Sequence, residues 1–203
     1  LHKAIRRQRQ MCIRDSSYNS KYMLTANFRA DESSKFAKGK RWGYFPSFSA
    51  GWRISEEPWF KEPTSKWLDN LKLRATLGWI GSAGAVGYYD YQSVVETNNR
   101  YYTFGPNQSS GNAADSNAAA PLPETFADKS LTWETTRDAG FGFDLDALSN
   151  KLTVTFDYYN RKVTDMLLNV QLPKSAGTPN SVWMNVGSMT NWGIEPVSYT
   201  HLT

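Results

Sequence analysis

The stretch YFPSFSAGWRIS, Tyr44 to Ser55, decides the architecture of this chain. Its alternate residues Tyr44, Pro46, Phe48, Ala50, Trp52 and Ile54 are apolar, whereas Phe45, Ser47, Ser49, Gly51, Arg53 and Ser55 between them are mostly small or polar. A period of two sends successive side chains to opposite faces of a sheet, so one face is greasy and the other wet. About 11 residues is also the length a tilted strand needs to cross a bilayer. Tyr44 and Trp52 lie eight residues apart. That is roughly 27 Å along the strand and roughly 20 Å of height at a tilt near 40°, close to the ~25 Å apolar band of outer-membrane barrels. Aromatic residues at both ends of the greasy face fit the two interfaces of such a band.

The same alternation recurs on both sides of this stretch. Tyr22, Leu24, Ala26, Phe28 and Ala30 alternate with Met23, Thr25, Asn27, Arg29 and Asp31. Leu71, Leu73, Ala75, Leu77 and Trp79 alternate with Lys72, Arg74, Thr76 and Gly78. Ala139, Phe141, Phe143, Leu145 and Ala147 alternate with Asp138, Gly140, Gly142, Asp144 and Asp146. After a tight turn at Ser149-Asn150, Leu152, Val154, Phe156 and Tyr158 oppose Thr153, Thr155, Asp157 and Tyr159, and a less regular segment runs from Val182 to Glu195. Asp and Lys are poor strand residues in a soluble core, so a face that carries them repeatedly lines water. The expected fold class is therefore all-β: a partial transmembrane antiparallel β-barrel of about six meandering strands. Phe28, Phe48, Leu73, Phe141 and Phe156 should share its outward face, and Arg29, Ser49, Lys72, Gly142 and Asp157 its inward face. Short turns are periplasmic in such barrels and long loops extracellular. Ser149-Asn150 then marks the periplasmic end, and the segments from Glu32 to Arg41, Ile80 to Ser130 and Leu167 to Ser181 lie outside the cell.

Composition supports this once the ends are set aside. LHKAIRRQRQMCIRDS at the start and PVSYTHLT at the end share no pattern with the rest and resemble translated adapter sequence. The expected organisation is a non-native tail at 1–16, a barrel segment at 17–195 and a second tail at 196–203. Of 23 Lys and Arg, five lie in the tails with one of the 19 Asp and Glu, which leaves 18 of each and removes the formal charge of +4. His2, His201 and Cys12 are also in the tails, so the body offers no imidazole base, thiolate nucleophile or ordinary zinc site. No run of 18 apolar residues reads as a membrane helix, which says nothing against strands that cross with half their residues polar.

Few constellations suggest chemistry. Asp138, Asp144 and Asp146 share a face as a cation site or acid–base pair would, but a pore wall has the same pattern and alternation supplies no desolvated pocket. Lys72, Arg74, Arg53 and Arg29 either form a basic strip in the pore or pair with neighbouring Asp. GWIGSAGAVG (Gly78 to Gly87) lacks the Lys-Ser/Thr of a phosphate cradle and reads as a flexible loop. The aromatics in or beside the long outer segment, Tyr88, Tyr89, Tyr91, Tyr101, Tyr102, Phe104 and Trp133, offer flat rings with polar tips that suit sugars or peptides. Packing of the loop would use the same residues. Tyr44, Trp52, Trp79 and Tyr158 read as membrane-interface anchors. No catalytic residue, metal site or cofactor is assigned, and nothing points to nucleic acid.

These residues also carry a resemblance. RADESSKF (Arg29 to Phe36), RWGYFPSFSAGWRISEE (Arg41 to Glu57), WLDNLKLRATLGWIGSAG (Trp67 to Gly84), LTWETTRDAGFGFDL (Leu131 to Leu145), LTVTFDYYNRKVTDMLL (Leu152 to Leu168) and NVGSMTNWGIE (Asn185 to Glu195) resemble, in order and spacing, the SusC/RagA family of TonB-linked outer-membrane transporters. Trp192 stands where that pattern carries a polar or charged residue. The resemblance implies a wall segment of a larger barrel in the bacterial outer membrane, in a protein that imports oligosaccharides or peptides with a SusD-like surface lipoprotein and the TonB complex as partners. It implies a plug and a TonB-contacting segment outside this stretch. The rival readings are a passive porin-like channel and a soluble secreted β-sandwich that binds glycans.

Overall fold

The computed structural model describes residues 7–60, 67–93, 95–96, 122–123, 127–176 and 181–200. Its strands are β1 (Arg7–Tyr18), β2 (Tyr22–Ser33), β3 (Trp42–Arg53), β4 (Leu68–Ser82), β5 (Val95–Glu96), β6 (Leu122–Pro123), β7 (Glu134–Ala147), β8 (Leu152–Gln171) and β9 (Ser181–Thr200). All but β5 and β6 form one seven-stranded sheet in the order β1-β2-β3-β4-β7-β8-β9, so neighbours in the sheet are neighbours in sequence. Each pairing is antiparallel. The count exceeds the expected six because Arg7–Tyr18, all but its last two residues set aside within the tail 1–16, pairs along its whole length with β2.

The register settles the faces, since directly opposed residues of an antiparallel ladder share a side. Trp52 opposes Leu73, Leu73 opposes Phe143, and Phe143 opposes Phe156. Ala26 opposes Phe48, and Phe28 opposes Pro46. On the other side Arg53 opposes Lys72, Lys72 opposes Asp144, and Gly142 opposes Asp157. The two expected residue sets therefore project from opposite faces. Leu24, Phe48 and Phe141 are 59%, 53% and 48% exposed, so the chain itself leaves the apolar face uncovered.

The apolar stretch slides along the ladder from strand to strand. It centres on Ala26 and Phe48 in β2 and β3, which oppose each other, but on Phe143 and Phe156 in β7 and β8, about four residues further along β7 than the Ala139 rung. A slide of roughly 13 Å across roughly 14–19 Å of sheet corresponds to strands tilted by about 40° to a fixed apolar band. That is the geometry of a wall closing into a barrel.

The tight turns 19–21 and 148–151 lie at one end of the sheet and the longest connection, 83–133, at the other; the 54–67 connection shares the tight-turn end and is longer than a turn. Leu148, Ser149 and Asn150 take left-handed φ values of 57°, 57° and 61° between β7 and β8. Asn tolerates that region, and the Asn150 amide donates to Asp69 at 2.8 Å. Strands β4, β7 and β8 run past the alternating stretch at the long-loop end, which is why they exceed their expected lengths there.

Candidate functional site

At the short-turn end, Glu57 follows a 3-10 turn at Ile54–Glu56 and is 8% exposed. The Tyr22 hydroxyl donates to its Oε1 at 2.6 Å and Trp52 Nε1 at 3.4 Å, while Lys21 Nζ stands 3.8 Å from Oε2. The Tyr22 and Trp52 rings stack at 6.3 Å. The hydrogen bond from Tyr22 holds the Glu57 carboxyl below its ordinary pKa; burial works the other way, and Trp52 and Lys21 reinforce the depression. Trp52, expected as an interface anchor, is thus tied at its polar tip to a carboxylate that sequence reasoning missed. Of the other expected anchors, Tyr44 is 61% exposed and stacks on Phe28 at 6.1 Å, Trp79 opposes Arg137, and Tyr158 opposes Phe141 and Ile194. Trp192 opposes Asn160 on the apolar face.

The inward face is a ladder of charges. Arg74 Nη2 donates to both oxygens of Asp157 at 3.0 and 3.1 Å, and its Nε stands 3.0 Å from Asp144 in a charge contact without hydrogen-bond alignment. Arg161 Nη2 donates to Asp138 at 2.7 Å, Arg29 Nε donates to Asp31 at 2.8 Å, and Asp146 accepts from Asn70 and Thr153 at 3.2 and 2.9 Å. The three aspartates considered for chemistry each have a local partner. Arg53 and Lys72 oppose each other, and among the described residues neither forms an ion pair with a carboxylate.

At the long-loop end the connections 34–41 and 83–133 meet the outer ends of β8 and β9 in a small core. Phe36 and Leu131 are wholly buried, Val86, Leu167 and Ala83 nearly so, with Tyr91, Trp133 and Trp183 packed around them. Trp133 lies between Phe36 and Phe45, at 5.3 and 5.6 Å between ring centroids, and donates from Nε1 to Arg41 O at 3.1 Å. Phe45 projects from the inward face and lies flat over Gly43 and Gly81, where a Cβ would come within 2.4 and 1.9 Å of its ring. Asn185 joins the β9 rim to the chain before β7, accepting from Thr132 N at 2.9 Å and donating to Thr132 O at 3.0 Å.

The structure separates the expected ligand-contacting aromatics. Trp133 and Tyr91 are half-buried against the rim core, while Tyr88 and Tyr89 are 46% and 60% exposed beside it. Tyr101, Tyr102 and Phe104 lie outside the described residues. Sequence reasoning also missed Lys35, which is 8% exposed, donates from Nζ to Ala83 O at 2.9 Å and sits 5.4 Å from the centre of the Tyr88 ring. The run KFAKGKR (Lys35 to Arg41) was the available signal, four cations in seven residues.

A tilted antiparallel wall with an apolar aromatic-ended face, an ionic inner face and short turns at one end defines a membrane β-barrel segment. The sequence profile described as TonB dependent receptor-like, beta-barrel matches residues 15–196, and the chain belongs to that family of outer-membrane proteins. It is 33% identical over 178 residues to the TonB-dependent receptor SusC of Bacteroides thetaiotaomicron, a match that covers 87% of this chain and 17% of SusC. It is 34% identical over 178 residues to the TonB-dependent receptor P39 of Formosa agariphila, covering 88% of this chain and 15% of that protein. The RagAB peptide transporter structure superposes with a TM-score of 0.74 at 26% identity, over 93% of this chain and 19% of its own. The siderophore receptor PirA from Pseudomonas aeruginosa superposes at 0.57 with 15% identity, over 94% of this chain and 30% of its own, a likeness of fold. The chain thus spans a small part of the length of its relatives.

Proposed function

We propose that this chain is a wall segment of an outer-membrane transporter that imports oligosaccharides or peptides. In the whole protein a SusD-like surface lipoprotein and the TonB complex would be its partners. The observation that carries the reading is the coincidence of the apolar face, the ionic face and the ~40° slide in one family-matched sheet. The apolar face meets lipid, and the charge ladder meets the barrel interior. Tyr88 and Tyr89 stand on the outer rim as candidate cargo contacts, with Trp133 as part of their support. The role is transport, with no catalytic step. The barrel content of the chain is 17–195, and the stretches 1–16 and 196–203 are foreign to it. What supports that boundary is the reversal of faces at both ends: Arg14 opposes Ala26 on the apolar side, and Val197 and Tyr199 oppose Thr155 and Thr153 on the ionic side.

A chimera tests the proposal. Residues 17–195 exchanged for the matching stretch of SusC should yield a heat-modifiable protein in the outer membrane. A chimera recovered as a soluble folded protein would favour the sandwich reading, and assembly that restores passive leakage without energised uptake would favour the porin-like one.

A further inference from the structure

We infer that the outer rim selects an anionic oligosaccharide, one whose sugars carry carboxylate or sulfate groups. This rests on the reading of Tyr88 and Tyr89 as cargo contacts and adds the charge of the cargo to it. The rim distributes its charges unusually. Lys35 donates to Ala83 O, Lys40 to Ser130 O at 2.7 Å and Arg41 to Phe36 O at 3.2 Å, so three cations of one loop are spent on neutral carbonyls. The carboxylates nearby keep their charge but bond to backbone amides and not to these cations: Asp90 accepts from Gly87 N at 2.7 Å, Asp128 from Ser130 N at 2.7 Å and Glu134 from Leu167 N at 3.2 Å. Among the described residues none of Lys35, Lys38, Lys40 and Arg41 forms an ion pair.

Lys35 is the decisive member, because a buried ammonium ordinarily has a carboxylate beside it. Here it has one carbonyl and the face of Tyr88. Lys35 stands over one face of that ring, so an acidic group on a sugar seated at Tyr88 would meet a positive charge beside it. The rim core that holds the loop includes Trp133, which packs on the inward-facing Phe45, so the loop is anchored on the barrel-interior side of the wall. Flat phenol rings with hydroxyl tips match the faces and edges of pyranose rings. Exposed Lys38 and Lys40 then supply salt-sensitive contacts to acidic groups along the chain of sugars.

The test is a titration of the full 203-residue chain in detergent micelles with trigalacturonate, maltotriose and triglutamate, followed by calorimetry. Trigalacturonate should bind at least about tenfold more tightly than maltotriose, and the paired substitutions Lys38→Gln and Lys40→Gln should weaken it about tenfold, as should Lys35→Gln. High salt should do the same. Lys38→Gln alone, at an exposed side chain, guards against loss of folding and should weaken binding less than the pair. Equal affinity for the acidic and neutral trisaccharides, or acidic binding that ignores the lysines, overturns the inference. So does triglutamate binding as tightly as trigalacturonate. If Tyr88→Ala with Tyr89→Ala abolishes both trisaccharides while the lysine variants change nothing, the rim remains the cargo face and only the charge selection fails. Failure of both trisaccharides to bind at about 1 mM overturns the inference together with the cargo reading of the rim on which it rests.

Discussion

Strand β1 and strands β2 to β8 obey the same hydrogen-bond ladder and differ in what their faces carry. In β2 to β8 the outward rung through Leu24, Ala50, Ala75, Phe141 and Tyr158 is apolar or aromatic in every strand, and polar residues enter that face only further toward the long-loop end, at Arg137, Asn160 and Lys162. In β1 the outward residues are Gln10, Cys12, Arg14, Ser16 and Tyr18, and apolar Met11 and Ile13 fall on the ionic side opposite Arg29 and Asn27. The end of β9 repeats the reversal, with Ser198 and Thr200 outward and Val197 and Tyr199 inward. Backbone pairing is nearly indifferent to sequence, because every residue but proline brings the same donor and acceptor. Facing is not indifferent, and it records the solvent on each side.

The largest expected effect is on the apolar face of the inner strands. Phe48→Arg or Leu73→Arg should each cost about 2 to 4 kcal/mol in a lipid-embedded protein, against much less for Ser49→Arg on the neighbouring rung. Equal losses in urea titrations of the assembled form would erase the distinction between faces. Next comes the edge itself. Amides of β1 should exchange about a hundredfold faster than those of β3 and β7 when the chain is in micelles, since local opening there breaks no favourable burial. Comparable protection would make β1 a full member of the wall.

Much of this wall was legible in advance, since a period of two with aromatic ends is a local signal that needs no knowledge of neighbours. Residues 22–31 and 71–79 follow it directly. Less legible were the outer ends of β4 and β8, where the strands leave the apolar band and the alternation lapses although pairing continues. At the candidate site, the aromatic residues were visible and their roles were not. Trp133 and Tyr88 look alike in sequence, and only the convergence of three distant segments on Phe36 and Leu131 separates a supporting ring from an exposed one. Glu57 and Lys35 escaped for the same reason, being defined by partners 35 and 48 residues away.

Glu57 gives a smaller effect at the short-turn end. Its carboxyl is held below the ordinary value of 4.5, so the stabilisation it gives is complete above that pH and is lost as pH falls through the depressed value. Acid titration of unfolding should show this loss, and Glu57→Gln should flatten that limb while lowering stability near neutrality. An unchanged acid limb would mean that the Tyr22 and Lys21 contacts contribute nothing. Smallest of all is Arg74→Gln, whose partners are partly exposed on the ionic face, with an expected cost of roughly 0 to 1 kcal/mol by urea titration. A loss as large as that at Phe48 would show that the inner face is packed like a protein core.

Depth-dependent quenching tests the central assignment most directly. Single cysteines at 48, 73 and 141, and at 49, 72 and 142, in a background with Cys12 replaced, would carry a fluorophore in bilayers containing lipid-bound or water-soluble quenchers. The first set should be quenched from lipid and shielded from water, and the second set the reverse. Quenching of both sets from water, or of both from lipid, would contradict a wall with one face in the membrane and the other in a barrel interior.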